Sequence, residues 1–283
     1  MIDPEAILAY DFGAPEQSFS ARDAILYALG VGLGHDPLDR EDLAFLDERD
    51  LSLLPSFAVT LCSPGMWMRE PRLGVDFGQL VHSAQLAEFP TLLPPAARIC
   101  GRAKVLSLTD RGAGKGAVLV LERRISDADS GALYCRLEQT LLLRGDGGFG
   151  GSPTPRNSTH FPNRPVDATR HFATSPRAAL IYRLSGDWNP LHLDPGVAEQ
   201  ASFSRPILHG LASYGIAGVA ASRALGRSPA HVRSLACRFT GIVTPGDELQ
   251  FNLWREGVNR ALFTAQIGER KVLDGGEIEW IDQ

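Results

Sequence analysis

SPRAALIYRL, residues 175–184, and SARDAILYAL, residues 20–29, share five of ten positions, and two more exchange Ile with Leu. They lie 155 residues apart in a chain of 283, so the chain reads as a tandem duplication, and a repeat is settled before motifs are weighed. Each stretch opens on a Ser that fits a helix N-cap, and Pro176 stands in the first turn, where a helix tolerates proline. Leu180 and Leu184 keep helical spacing, and Gly186 is a natural stop. Amphipathic helices also resemble one another by chance, so the segments downstream of the two copies carry weight.

Residues 98–144 hold three strand-like runs, RICGRAKVLSL, GAVLVLERRI and ALYCRLEQTLLL. Residues 231–282 hold HVRSLACRFTGIV, ELQFNLWRE, RALFTAQIG and KVLDGGEIEWI. Turn residues such as Asp129-Ser130-Gly131 and Pro245-Gly246-Asp247 separate them, which predicts an antiparallel meander after each helix. Between the copies, residues 144–165 (RGDGGFGGSPTPRNSTHFPNRP) are rich in Gly, Pro and Ser. The halves are therefore expected at 1–150 and 160–283. Gly145, Gly147 and Gly150 match a dinucleotide fingerprint in spacing, but Pro153 and Pro155 stand where its helix would begin, so a linker is the better reading. GAGKG at 112–116 lacks the spacing of a P-loop.

Apolar residues make up 44% and charged residues 22% of the chain, a composition that suits a soluble globular protein with a sizeable core. A net charge of −5 without basic runs argues against nucleic acid as a partner. Cys62, Cys100, Cys135 and Cys237 are scattered, which suits neither a zinc site nor a disulfide framework and fits a reducing compartment. The N-terminus lacks the basic and apolar regions of a signal peptide. Leu208–Leu225 is apolar but short and rich in small residues, so a buried helix is expected and no membrane span. A cytoplasmic location is the resulting expectation.

The second copy continues SGDWNPLHLDP where the first continues GVGLGHDP, which places Gly32 opposite Asp187. Pro190 keeps Asn189 out of the helical region, so Asp187 and His192 can converge from a compact loop. A carboxylate and an imidazole on one water can share its deprotonation and return a proton, and Asn189 offers a donor and an acceptor to orient it. The plainer reading, an Asp capping a turn and a His satisfied in the core, stays open on spacing alone. Pro206-Ile207-Leu208-His209-Gly210 precedes the small-residue helix, so Gly210 falls in its first turn, where unpaired N–H groups can meet an oxyanion. Gly210, Gly215 and Gly218 equally suit tight packing against a sheet.

YRLSGDWNPLHLDP (182–195) followed by PILHG (206–210) resembles the signature of type-2 enoyl-CoA hydratases, in the MaoC-like branch of the hot-dog superfamily. YALGVG (27–32), LPSF (54–57), GGFGG (147–151) and PNRPVDA (162–168) extend the resemblance over nearly the whole chain. It implies an α+β double hot-dog, two antiparallel sheets each wrapped around a central helix, with an acyl-CoA substrate and a homodimer. It implies reversible hydration of a trans-2-enoyl-CoA to the (3R)-3-hydroxyacyl-CoA, with no metal or other cofactor. Asp187 and His192 look like the water-activating pair, Asn189 their positioning partner, and Gly210 the backbone donor to the thioester oxygen. Tyr182, Asp194, His209, Glu48 and Asp50, with Tyr27 and His82, match polar family positions expected to orient those groups or hold the structure. After His82, Ala84 and Leu86 depart from the family's acidic and aromatic residues.

With one intact motif in a duplicated chain, the degenerate N-terminal half is expected to accommodate the acyl chain. Two alternatives stand beside this: an unusual substrate of the same fold (dicarboxylic, branched or steroid side-chain thioester), and an acyl-CoA-binding protein without catalysis. Arg164, Arg205 and Arg238 are candidate phosphate contacts, although surface arginines are usually only solvated.

Overall fold

Alternating apolar runs pair into one ten-stranded antiparallel sheet in a computed structural model that describes residues 2–150 and 159–281. Residues 151–158, with Pro153 and Pro155 of the expected linker, lie outside the described residues. The N-terminal half supplies β1 (Glu16–Phe19), β2 (Leu80–Glu88), β3 (Ala97–Asp110), β4 (Ala117–Asp127) and β5 (Leu133–Leu143). The C-terminal half supplies β6 (Ala168–Ala173), β7 (Val232–Phe239), β8 (Glu248–Arg255), β9 (Arg260–Ile267) and β10 (Arg270–Trp280). The order β1-β3-β4-β5-β2-β7-β10-β9-β8-β6 is the same in each half, read outward from the seam where β2 pairs with β7. The duplication is thus visible as topology.

This is the double hot-dog arrangement, with three corrections to the expectation. The three runs of residues 98–144 form the expected meander, β3-β4-β5, but in the C-terminal half β7 pairs with β10, so the first run of that set crosses over the meander β8-β9-β10 and does not begin it. The two sheets are continuous across the seam. Among the described residues, only the C-terminal half contains the long helix. The helices are α1 (Pro4–Leu8), α2 (Ala21–Gly30), α3 (Arg40–Leu43), α4 (Ala178–Tyr182), α5 (Pro195–Gln200) and α6 (Gly210–Ala224). In the repeat register Pro55 stands opposite Gly210, and there the N-terminal half has the 3-10 helix Pro55–Thr60. Pro55 suits a first turn, but the β-branched Val59 and Thr60 beyond it are poor helix formers, and the segment ends there.

The repeated stretch forms a helix in both copies with different starts. Ser20 caps α2 through a capping box with Asp23. Ser175 instead accepts from the Arg177 N–H at 3.1 Å, and the cap of α4 is Arg177, so the expected start is corrected by two residues. Gly186, at φ +114°, stops the helical run as expected. α6 is buried on all sides from Ala212 to Ser222, and its polar groups are satisfied inside. Tyr214 donates to Leu235 O at 2.7 Å, Ser222 to Gly218 O at 2.7 Å, and Trp280 Nε1 to Ser222 Oγ at 2.9 Å. The larger apolar cluster draws Tyr27, Val31 and Phe57 from one half and Ile216, Phe251 and Phe263 from the other, so both repeats share one core. No helix among the described residues is long and apolar enough to cross a membrane.

The two glycine-rich stretches set aside as nucleotide motifs meet each other. The Asp110 carboxylate accepts from Gly112 N at 2.8 Å, Gly148 N at 2.8 Å and Gly150 N at 2.6 Å. Backbone donors that would cradle a phosphate already hold the protein's own carboxylate.

Candidate active site

Three side chains converge where the loop after α4 meets the start of α6. Asp187, His192 and His209 each offer a ligand-type atom, all within 4.8 Å of one another. The loop is built by local chemistry. Asn189 Oδ1 caps the 3-10 helix Pro190–His192 by accepting from Leu191 N at 3.1 Å, and Asp187 Oδ1 accepts from Asn189 N at 3.2 Å. These two bonds carry the chain around so that His192 points inward while Asp187 remains exposed.

The hydrogen bonds assign the tautomers, because a carbonyl can only accept. His192 Nδ1–H donates to Ile207 O at 2.9 Å, which leaves the Nε2 lone pair free. His209 Nε2–H donates to Asp187 O at 3.3 Å, and its buried Nδ1 has no partner among the described residues. The two imidazoles stack with centroids 3.7 Å apart, and the Tyr182 ring lies 4.9 Å from His209. Burial holds the His192 pKa below the ordinary imidazole value, against the opposing pull of the Ile207 carbonyl and Asp187. Burial, with His192 beside it, pushes His209 down to about 3. Both rings are therefore neutral near pH 7, and His192 presents a lone pair able to accept a proton.

Gly210 opens α6. The first intrahelical bonds are those from Ala212 N and Ser213 N to His209 O, so the exposed Gly210 N–H has no acceptor among the described residues. A Cβ at Gly210 would sit 3.5 Å from the Phe239 ring, an ordinary contact, whereas one at Gly215 would fall 2.5 Å from Tyr27 Oη and 2.7 Å from Val31 Cγ1. Packing therefore demands glycine at 215 and not at 210. Gly210→Ala is expected to keep the melting temperature while kcat/KM falls by about a hundredfold, as for a reacting group displaced by about 1 Å. Gly215→Ala is expected to cost about 1–3 kcal/mol of stability by overpacking. Thermal melts with initial rates check the pair, and a destabilised Gly210→Ala with normal turnover would reverse the assignment.

The structure brings Tyr182, His209 and Asn189 to this cluster and leaves other candidates out of it. Asp194 caps α5 by accepting from Gly196 N at 2.8 Å and Val197 N at 3.4 Å, so it fixes the loop's exit. Glu48 and Asp50 are exposed on the 3-10 helix Glu48–Asp50, whose cap is Asp47, and no hydrogen bond of the cluster reaches them. Their acidity matched a pattern, but the turn faces solvent. Asp187, His192 and His209 are all of ligand type and converge, a grouping that spacing in the sequence does not show. Arg164 is paired with Asp167 and Arg238 with Asp274, while Arg205 is exposed.

His82 of β2 reaches the site from the other half. Its Nε2–H donates to Ala84 O at 3.0 Å, its ring meets Phe239 edge-on at 4.9 Å, and Phe239 faces Gly210. Burial holds His82 down to about 4. Opposite Asp187 in the first copy, Gly32 offers no side chain and His35 is exposed, so the pair exists once per chain.

Family models match each half of the chain. Residues 157–274 match the MaoC like domain, and residues 17–145 match the MFE-2 hydratase 2 N-terminal domain. The chain is 40% identical over 273 residues to 3-hydroxyacyl-thioester dehydratase Y of Mycobacterium tuberculosis, covering 92% of each chain. It is 34% identical to the peroxisomal enoyl-CoA hydratase 2 of Arabidopsis thaliana, over 94% of this chain and 91% of that one. A crystal structure of a MaoC-like dehydratase from Phytophthora capsici superposes with a TM-score of 0.83 at 30% identity, covering 99% of both chains. With both halves matched and the intact loop in the second, the chain belongs to the MaoC-like hydratases of the hydratase 2 type.

Proposed function

We propose that this hydro-lyase adds water reversibly across a trans-2-enoyl-CoA to give the (3R)-3-hydroxyacyl-CoA, with Asp187 and His192 activating the water. The observation that carries the assignment of roles is a neutral, oriented His192 whose Nε2 is free and which has a ring nitrogen within 4.8 Å of an Asp187 carboxylate oxygen. As the C3–O bond forms, the pair takes one proton from water. The electrons of the double bond move toward the thioester oxygen, which the Gly210 N–H at the positive end of α6 stabilises. The pair then delivers a proton to C2, so water is added and the pair ends as it began. Asn189, its Oδ1 engaged in the turn, keeps its amide N–H groups for the water or the thioester. Every proton moves through the chain's own groups, and the proposed chemistry calls for no cofactor.

Purified protein is expected to remove the conjugated-thioester absorbance of crotonyl-CoA and to yield the 3R product on chiral analysis. Tight binding of crotonyl-CoA with unchanged absorbance would favour an acyl-CoA-binding protein instead. A cytoplasmic homodimer is the proposed setting, tested by light scattering on the same preparation and by cell fractionation.

A further inference from the structure

β4 lies in the middle of the N-terminal half-sheet, and alternate residues share one face of a strand. Ala117, Leu119, Leu121 and Ile125 of that face are buried in the core. Arg123 belongs to the same alternating set, with Ala103 and Leu137 beside it on β3 and β5. It is thus a cation on the inner, apolar face of the sheet, beneath the 3-10 helix that stands where the other half has α6. Its Nη2 donates to Val59 O of that segment at 2.6 Å, and its Nε is buried without an acceptor. Among the described residues no carboxylate pairs with it, whereas the comparably buried Arg223 pairs with Asp42, and the adjacent Arg124 pairs with Glu122.

An unpaired buried charge is destabilising, and burial pushes this guanidinium down to about 10, far for an arginine. Its field reaches His82 and Tyr182 beside the active site, and Cys62 and Cys135 deeper in the N-terminal half. Arg123 thus lies on the inner face of the N-terminal half, the half expected to take the acyl chain, close enough to His82 and Tyr182 to act on them. A guanidinium offers five N–H donors in a planar fork that matches a carboxylate bidentately. A purely apolar chain would leave that fork unsatisfied.

We propose that Arg123 is a specificity residue that receives a carboxylate carried on the acyl chain, so that the preferred substrates are monothioesters of dicarboxylic acids. The inference rests on the acyl-CoA reading above, and its test reads binding so that it does not depend on turnover. Saturated acyl-CoA esters with a terminal carboxylate are titrated calorimetrically against methyl-terminated esters over a ladder of chain lengths, with crotonyl-CoA hydration assayed in parallel. At the matching length the carboxylated ester is expected to bind about tenfold tighter or more, a factor that corresponds to about 1.4 kcal/mol. Arg123→Met is expected to reverse that preference while crotonyl-CoA hydration persists, and Arg123→Lys to retain part of it. Should Arg123→Met fail to fold, the wild-type preference and Arg123→Lys decide. Equal or tighter binding of methyl-terminated esters at every length would overturn the proposal. So would a parallel loss for both series in Arg123→Met, or a ketone-terminated chain that binds as tightly as the carboxylated one. Loss of crotonyl-CoA hydration in the wild-type protein, with the binding preference intact, would count against the hydratase mechanism alone.

Discussion

Asp187→Asn is expected to lower kcat for crotonyl-CoA hydration by roughly 10²- to 10⁴-fold, the usual contribution of a positioned acid–base group. The substitution is isosteric and keeps an oxygen to accept the Asn189 N–H, so the loop's turn survives. Asp187 is exposed, so stability should hardly move. What disappears is the carboxylate beside His192. His192→Gln removes the other half of the pair and should cost a similar factor. The double variant should be little worse than either single one, because groups acting on one water act as a unit. KM should change far less than kcat, since neither group carries the affinity for CoA. Full activity in Asp187→Asn would end the proposed mechanism.

Much of this was legible in the sequence, for a definite reason. The duplication showed because α2 and α4 pack against each other, and both copies keep Tyr at that contact: a Cβ on Gly30 would lie 3.0 Å from Tyr182 Cα, and the Tyr27 and Tyr182 rings lie 5.8 Å apart. β3, β4 and β5 showed as apolar runs bounded by turns. β2 did not, because LVHSAQLAE carries His, Ser and Gln, which break the apolar run, and Ser83 meets its acceptor, Thr140 O, only on β5. With β2 unread, only the family resemblance pointed to His82. The loop from Asp187 to His192 was legible because its geometry is local: Asn189 and Pro190 build it with neighbours two residues away. The convergence of His209 depends on α6 arriving beside the loop, and the isolation of Arg123 on which residues do not surround it. Neither is written in spacing.

The fold's own weak point lies where the two repeats are tied by charge. Arg223, in the last turn of α6, donates through Nη2 to Asp42 Oδ1 at 2.5 Å, with side chains only 7% and 6% exposed. Asp42 also accepts from Gly34 N at 2.6 Å through its other oxygen, so one carboxylate joins α3, the loop after α2 and the helix of the opposite half. Most ion pairs here differ: Arg98 and Glu16 are about half exposed, and pairs of that kind contribute at most about 1 kcal/mol. Removing one partner of a buried pair leaves the other charge uncompensated, which costs about 3–5 kcal/mol. Asp39 at 3.4 Å and Glu41 at 3.7 Å remain near Arg223 but lie closer to solvent, so Asp42→Ala should fall toward the lower end of that range. Asp42→Ala combined with Arg223→Met should recover much of the loss, because the second change removes the stranded cation and fills its space with an apolar chain. Urea unfolding of the wild type, both single variants and the double variant gives the coupling directly. If Asp42→Ala lies within about 0.5 kcal/mol of wild type, Asp39 and Glu41 are holding Arg223 without it. The charge tie between the repeats would then run through Asp39 and Glu41.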